Sequence, residues 1–317
     1  AAALAEAQAA VSRDVGLASR EDATDLPFVT IDPPGAKDLD QALLVQRVGS
    51  GFRVHYAIAD LGAFVVPGGA LDAEVRKRGQ TLYLPDGNVP LHPPVLSEGA
   101  ASLLPGQTRP SVLWTFECGP DGEPTEVRVR RAVVRSTAQF DYETVQAQFD
   151  AGTPHPSIEA LPDFGRLRRE RAAERGAVEL QLPEQEIVPN GDGDWKLAVR
   201  PRTDVDAWNA EISLLTGMSA AKVMLAAKVG VLRTLPDADD GAVDALRRSA
   251  HALGVPWPAG VTPSRLLAGL DPSRPEALAL FVDATRLLRG AGYTAFNGEV
   301  PAVSTHAGLA APYTHVT

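Results

Sequence analysis

The chain has 317 residues with 40 acids against 30 bases, a net charge of −10, and is 44% hydrophobic and 22% charged. That length accommodates one large domain or two ordinary ones, and the composition excludes disordered, collagen-like and disulfide-stapled classes; no run of about 18 apolar residues offers a membrane span. An acidic balance argues against a protein that captures nucleic acid by a basic surface alone, because phosphate neutralisation supplies most of such affinity.

Residues 1–10 are Ala-rich but lack a basic start before a long apolar run, so they do not read as a secretory signal. The lone Cys118 has no internal disulfide partner, which makes a reducing cytoplasm the expected compartment. Residues 1–24 read as a lead-in helix or linker. Residues 27–31 form an apolar run ending at Asp32. Residues 42–48 and 52–59, joined through Gly49-Ser50-Gly51, read as a strand hairpin. A short helix is predicted over 70–78. Residues 111–118 and 126–135, joined by Gly119-Pro120-Asp121-Gly122, read as a second hairpin.

The second half reads as helical. Asp206 is the predicted N-cap of a helix over 208–232, with Ile212, Leu215, Ser219 and Val223 on one side. Shorter helices are predicted over 241–253, 264–270 and 275–289, separated by punctuation such as Val255-Pro256-Trp257-Pro258. With no internal repeat or low-complexity linker, the pattern predicts one large α+β domain, β-rich first and helical second. Tyr313-Thr314-His315-Val316-Thr317 reads as an interrupted segment.

The densest chemistry lies in Thr30-Ile31-Asp32-Pro33-Pro34-Gly35-Ala36-Lys37-Asp38-Leu39-Asp40-Gln41, where three carboxylates fall within nine residues of a Pro/Gly turn. If the turn folds Asp38 and Asp40 back towards Asp32, their mutual repulsion is relieved by a hard divalent cation. Mg²⁺ suits such oxygen ligands and accepts phosphate oxygens as well, with Mn²⁺ as the second choice. Asp, Pro and Gly are also ordinary turn formers, so spacing alone leaves a plain turn open. A calcium loop fits poorly, since no acid follows at the required distance.

Further motifs accompany this loop. They are Asp25-Leu26-Pro27-Phe28-Val29-Thr30-Ile31-Asp32, Tyr56-Ala57-Ile58-Ala59-Asp60, Gly69-Ala70-Leu71-Asp72, Arg76-Lys77-Arg78-Gly79-Gln80-Thr81-Leu82-Tyr83-Leu84-Pro85 and Val89-Pro90-Leu91. The segment 97–103 and the final Tyr313-Thr314-His315-Val316-Thr317 follow. Together they resemble the catalytic RNB domain of the ribonuclease II and ribonuclease R family, from about residue 25 to the end.

The resemblance implies an RNB-type catalytic domain over 25–317. It also implies a 3′→5′ exoribonuclease that degrades single-stranded RNA processively to nucleoside 5′-monophosphates with two divalent ions about 4 Å apart. It casts Asp32, Asp38, Asp40 and Gln41 as metal ligands, with Asp38 and Asp40 catalytic. Tyr83 takes the place of an aromatic stacked on the terminal base, against the alternative of a buried strand tyrosine. Tyr142 takes the place of a residue positioning the RNA terminus. Glu211 takes that of an acid reading the ribose, where a 2′-OH contact separates RNA from DNA. Asp60 follows a strand, either behind the metal ligands or as a turn or cap residue.

The sequence departs from the pattern in places. Gln41 stands where most of the family has a fourth Asp, which brings an amide oxygen without charge and implies a weaker second ion. Val178-Glu179-Leu180-Gln181-Leu182 offers no aromatic partner for Tyr83. Glu98 and Ala101 replace the family's Asn and Cys. The family's phosphate-binding Arg pair would lie just beyond Thr317, and a chain ending there is expected to be inactive. OB-fold RNA-binding domains are expected in the full-length protein, which is expected to be a monomer without membrane association.

Two rival readings are a non-catalytic RNA-binding or regulatory module of the same fold and a magnesium-dependent phosphohydrolase of small esters. Residues 126–175, with nine bases against eight acids, are the expected backbone-tracking stretch together with the helical half. The acidic loop accounts for part of the negative excess, so the chain reads as a poor RNA-capturing surface by itself.

Overall fold

The computed structural model describes residues 1–316 except Asp192 and Pro201; the Thr317 that closes the last motif lies outside the described residues. After α1 (Ala2–Val11) the chain enters β1 (Glu21–Ile31), crosses the acidic loop and returns as a hairpin of β2 (Gln41–Val48) and β3 (Gly51–Ala59). Helix α2 (Ala70–Arg78) and a ribbon of β4 (Leu82–Leu84) and β5 (Gly87–Val89) precede a second hairpin, β6 (Thr108–Cys118) and β7 (Pro124–Phe140). Both predicted hairpins and the 70–78 helix are present.

Strands β1, β2, β3, β6 and β7 close into a barrel. Neighbours are antiparallel except β1 and β7, which run parallel with Val29 beside Ala138 and Ile31 beside Phe140. The end of β1, the start of β2, the end of β3 and the end of β7 therefore share one rim, and the acidic loop lies on it.

Side chains alternate across each strand, so a run such as Ala42-Leu43-Leu44-Val45 is buried on both faces. Ala23, Phe28, Ala42, Leu44, Ala57, Leu113, Ala132 and Val134, drawn from all the strands of the barrel, form one cluster inside it. Four of these are alanines, as a narrow barrel requires. Leu43, Val45, Val54, Tyr56 and Phe116 face outward into a second cluster, against Phe164, Trp208 and Ile212. Cys118 is buried and free, and burial pushes its thiol up to about 12, which leaves it unreactive.

The helices that cover this outer face are α3 (Tyr142–Asp150), capped by the Asp141 carboxylate, and α4 (Leu161–Arg175). A ribbon of β8 (Glu184–Pro189) and β9 (Trp195–Arg200) leads into α5 (Asp204–Ala227). Helices α4 and α5 approach so closely that a Cβ on Gly165 would stand 2.4 Å from the Trp208 ring. By length and composition α5 could cross a bilayer; half of its most apolar window is buried in the protein, as in a core helix.

Two expectations about α5 need correction. Its N-cap is Thr203, and Asp206 is the third helical residue of a capping box in which each side chain accepts the other's backbone N–H. The helix ends at Ala227, where Lys228 turns left-handed (φ 55°), and residues 229–232 belong to β10 (Val229–Thr234). The Val-Gly-Val-Leu sequence is poor in helix formers and pairs with β11 (Gly292–Asn297), which no short-range pattern reveals. Val223, expected on the apolar side, is 51% exposed. Helices α6 (Asp240–Ala252), α7 (Pro263–Ala268) and α8 (Pro275–Ala284) surround a third apolar cluster that includes Leu246, Leu267 and Phe281. The predicted 275–289 helix gives way to a 3₁₀ turn at Thr285–Leu288. The last described segment docks on α5, where a Cβ on Gly217 would meet the Tyr313 ring at 2.3 Å.

Candidate active site

The acidic loop is held by backbone bonds to the barrel. The Asp32 N–H donates to the Phe140 carbonyl at 3.1 Å, extending the β1–β7 ladder, and the Ala59 N–H donates to the Asp40 carbonyl at 2.8 Å. Between them Pro33–Ala36 makes a turn in which Gly35 takes φ +80°, a conformation that disfavours any side chain. Gln139 Nε2 donates to the Ala36 carbonyl at 2.8 Å. The Leu39 side chain is fully buried in the barrel cluster, while its neighbours Asp38 and Asp40 keep exposed surface on the rim.

Asp32 is buried, and its Oδ2 has no hydrogen-bond partner. Burial, followed by the negative charges of Asp40 and Asp38, pushes its carboxyl up to about 7. Asp40 is enclosed by protein yet keeps solvent-accessible surface, as a group on the floor of an open cleft does; that enclosure, and the charge on Asp38, raise its carboxyl too. Three aspartates thus repel one another on one rim, and one of them is buried with an oxygen that has no hydrogen-bond partner.

The remaining walls come from other elements. Tyr83, on β4, is 72% exposed and donates its hydroxyl to Asp38 Oδ2 at 3.4 Å, which disposes of the buried-strand alternative. The Gln41 amide oxygen accepts a hydrogen bond from the Tyr56 hydroxyl, whose ionisation is opposed by burial and by Asp40. Tyr142, the first residue of α3, receives a hydrogen bond from Asn209 Nδ2 at 3.4 Å, and the Arg200 guanidinium lies 5.9 Å from its ring centroid. Beside Gln41 opens a cleft of about 380 Å³ lined by Pro33, Tyr142, Arg200, Asn209 and Ser213. A larger cavity of about 470 Å³ lies between the β8–β9 ribbon and α5, walled by Leu182, Val199 and Ala207 and by none of the loop's carboxylates.

The structure thus brings Asp32, Asp38, Asp40, Gln41, Tyr83 and Tyr142 to one rim. It does not bring Glu211 there. Glu211 is buried with Oε2 unpartnered, held above the ordinary carboxyl range by burial, and its charged neighbours are Arg168, Glu179, Arg175 and Arg169. On a helix, two residues' displacement turns a side chain by about 200°. Asn209 and Ser213, one turn apart, face the cleft instead; their spacing is legible once that face is known. Asp60 is engaged in a buried ion pair with Arg20 at 2.7 Å and precedes the Leu61–Ala63 turn without capping it by its side chain. The arginines of 126–175 are largely spoken for, Arg128 by Glu126, Arg130 by Glu21, Arg168 by Glu123 and Arg169 by Glu179. That stretch therefore presents much less free positive charge than its composition suggests.

Carboxylate and amide oxygens are the kind of donor that a hard divalent ion takes. Among the described residues no group of three or more histidine, cysteine, aspartate or glutamate side chains is placed to hold a metal ion by itself, so an ion here would draw on fewer protein ligands. An open carboxylate rim is the arrangement in which Mg²⁺ keeps water and takes substrate phosphates as further ligands.

A family model described as "RNB domain" matches residues 20–317. The chain is 30% identical over 323 residues to the exosome complex exonuclease RRP44 homolog A of Arabidopsis thaliana, covering 96% of this chain and 34% of that protein. The ribonuclease R of Mycoplasma genitalium, solved with ribose-methylated single-stranded RNA, superposes with a TM-score of 0.86 at 23% identity over 98% of this chain and 51% of that one. The yeast protein Ssd1, described as a pseudonuclease, superposes with a TM-score of 0.76 at 16% identity, over 96% of this chain and 38% of that one. The chain spans about a third of the length of the curated relative. With the motifs in order along the sequence, the acidic loop on the barrel rim and the family model matching all but the first residues, the chain belongs to the RNB domain family of ribonucleases.

Proposed function

We propose that this chain is the catalytic domain, over residues 25–317 with residues 1–24 as a docked lead-in, of a 3′→5′ exoribonuclease that releases nucleoside 5′-monophosphates from single-stranded RNA. The observation that carries the reading is the group of Asp32, Asp38 and Asp40, crowded on an open rim with a buried carboxylate oxygen left unpartnered. Asp32, Asp38 and Asp40 would hold the ions, with the Gln41 amide oxygen shared with Tyr56. A pair of bound Mg²⁺ ions, or Mn²⁺ in their place, supplies an activated water and charge stabilisation at the departing oxygen.

The chain's own groups position the RNA. Tyr83, exposed beside Asp38, offers a ring face to a terminal base, and stacking tolerates any sequence. Tyr142 and Asn209 line the adjacent cleft with a hydroxyl and an amide, groups suited to a ribose hydroxyl. Asn209 is the better ribose reader than Glu211, because its side chain reaches the cleft.

The test is digestion of 5′- and 3′-labelled single-stranded RNA and matched DNA by the full-length protein, in Mg²⁺ and in chelator. Mononucleotide release from the 3′ end of RNA alone, abolished by chelator, supports the reading. RNA binding without release supports the second reading, a non-catalytic RNA-binding module, which is favoured by Gln41 in place of a carboxylate and by the pseudonuclease of similar fold.

A further inference from the structure

Between β5 and β6 the chain makes a π-helical turn (Leu96–Ala100) and then passes beneath the acidic loop. Ser102 is 2% exposed there. Its hydroxyl accepts the Leu39 N–H at 3.0 Å and donates to the Lys37 carbonyl at 2.6 Å. Those two groups flank Asp38, so one oxygen atom ties the backbone on both sides of that carboxylate. The next residue adds a third bond, from the Leu103 N–H to the Leu39 carbonyl at 2.9 Å. Ser102 is itself steadied by Arg109, whose Nε donates to the Ser102 carbonyl at 3.0 Å.

The rest of the loop lacks regular secondary structure and carries like charges that push it apart. An isolated Pro/Gly turn would relax by rotating Asp38 away from Asp32 and Asp40. We propose that Ser102 is a positioning residue for the reaction centre: its hydroxyl clamps residues 37–39 so that Asp38 is kept on the rim that carries Asp32 and Asp40. Groups that orient a ligating side chain from behind are commonly worth about 10–100-fold in metal affinity. Without the hydroxyl, the Leu39 N–H and Lys37 carbonyl lose their shared partner, and the loop gains freedom at the residue where repulsion acts.

This inference rests on the acidic loop being the reaction centre, and its test separates the two. In the metal-free full-length protein, amide hydrogen exchange at Leu39 is compared with that at Val54 in the barrel core, for wild type, Ser102→Ala and Ser102→Thr. Mn²⁺ alone is then titrated against each. Ser102→Ala is expected to speed Leu39 exchange about tenfold with Val54 unchanged, and to weaken Mn²⁺ binding about tenfold. Ser102→Thr, which keeps the hydroxyl, restores both, and KM for RNA stays within about twofold of wild type because Tyr83, Tyr142 and Asn209 are untouched. Equal acceleration at Leu39 and Val54 would make Ser102 a general stability residue and overturn the proposal. So would unchanged Leu39 exchange and Mn²⁺ affinity in Ser102→Ala. Absence of nuclease activity in the wild type overturns the functional reading instead and leaves the exchange result standing.

Discussion

At the rim where β1 ends, Asp32, Asp38 and Asp40 crowd together and Asp32 Oδ2 has no partner. Towards the opposite rim, beside the hairpin turns, Arg53 pairs with Glu117 at 2.6 Å, Arg128 with Glu126 at 2.7 Å and Arg130 with Glu21 at 3.0 Å, around a buried His55 bonded to Thr115. Both ends of one barrel are dense in charge. At the second, each of these charges is matched by an opposite one, and burial disfavours a charge on the imidazole. At the first, like charges are placed together at a cost that folding alone does not explain. Charge density therefore does not identify a site; uncompensated charge does.

The largest test of this contrast is at the acidic rim. Asp40→Asn is expected to lower turnover about 10³-fold while RNA affinity stays within about threefold, because the lost charge acts on the transition state more than on binding. Single-turnover rates and a binding titration measure both; retention of normal rates would remove Asp40 from the centre.

The opposite rim answers to pH instead. Burial first, and then the positive charges of Arg53 and Arg130, hold His55 down at about 4 against an ordinary 6.5. Between those values the unfolded chain binds a proton that the folded chain refuses. The contribution is therefore fully present above pH 6.5 and is lost as pH falls towards 4, by on the order of 2 kcal/mol after allowance for solvent screening. Urea midpoints of wild type and His55→Gln are expected to diverge across that window, and parallel curves would show that His55 is not held neutral.

Smaller effects sharpen the acidic rim further. Tyr83→Ala is expected to weaken binding of an RNA 3′ end about tenfold, and Tyr83→Phe hardly at all, since stacking rather than the long hydroxyl bond carries the contact. Fluorescence anisotropy with a short oligonucleotide distinguishes the two. Gln41→Asp is expected to lower the Mg²⁺ concentration for half-maximal activity about threefold by adding a charged ligand. Superposable activation curves would place Gln41 outside the ligand set.

Much of the fold was legible because its signals are local. The Gly49-Ser50-Gly51 and Gly119-Pro120-Asp121-Gly122 turns mark their hairpins, and the 70–78 helix has the predicted bounds. Closure of the barrel was not legible, since it depends on parallel pairing of β1 with β7 across more than a hundred residues. The β10–β11 pairing spans some sixty residues and for the same reason cut short the long helix predicted to run to 232. The acidic loop could be read from composition and order, and the motifs around it carried the family. Glu211 could not be placed, because sequence order says that a residue is helical without saying which neighbour its face meets. Ser102 left no signal of its own; a buried serine becomes meaningful only when the loop it holds is seen above it.

The central claim is that the acidic rim is an open divalent-cation site. Mn²⁺ binding to the full-length protein, followed by electron paramagnetic resonance and compared with Asp32→Asn and with Glu117→Gln at the other rim, tests it most directly. The expected result is binding by wild type and Glu117→Gln and its loss in Asp32→Asn. Equal Mn²⁺ binding by all three proteins would contradict the account.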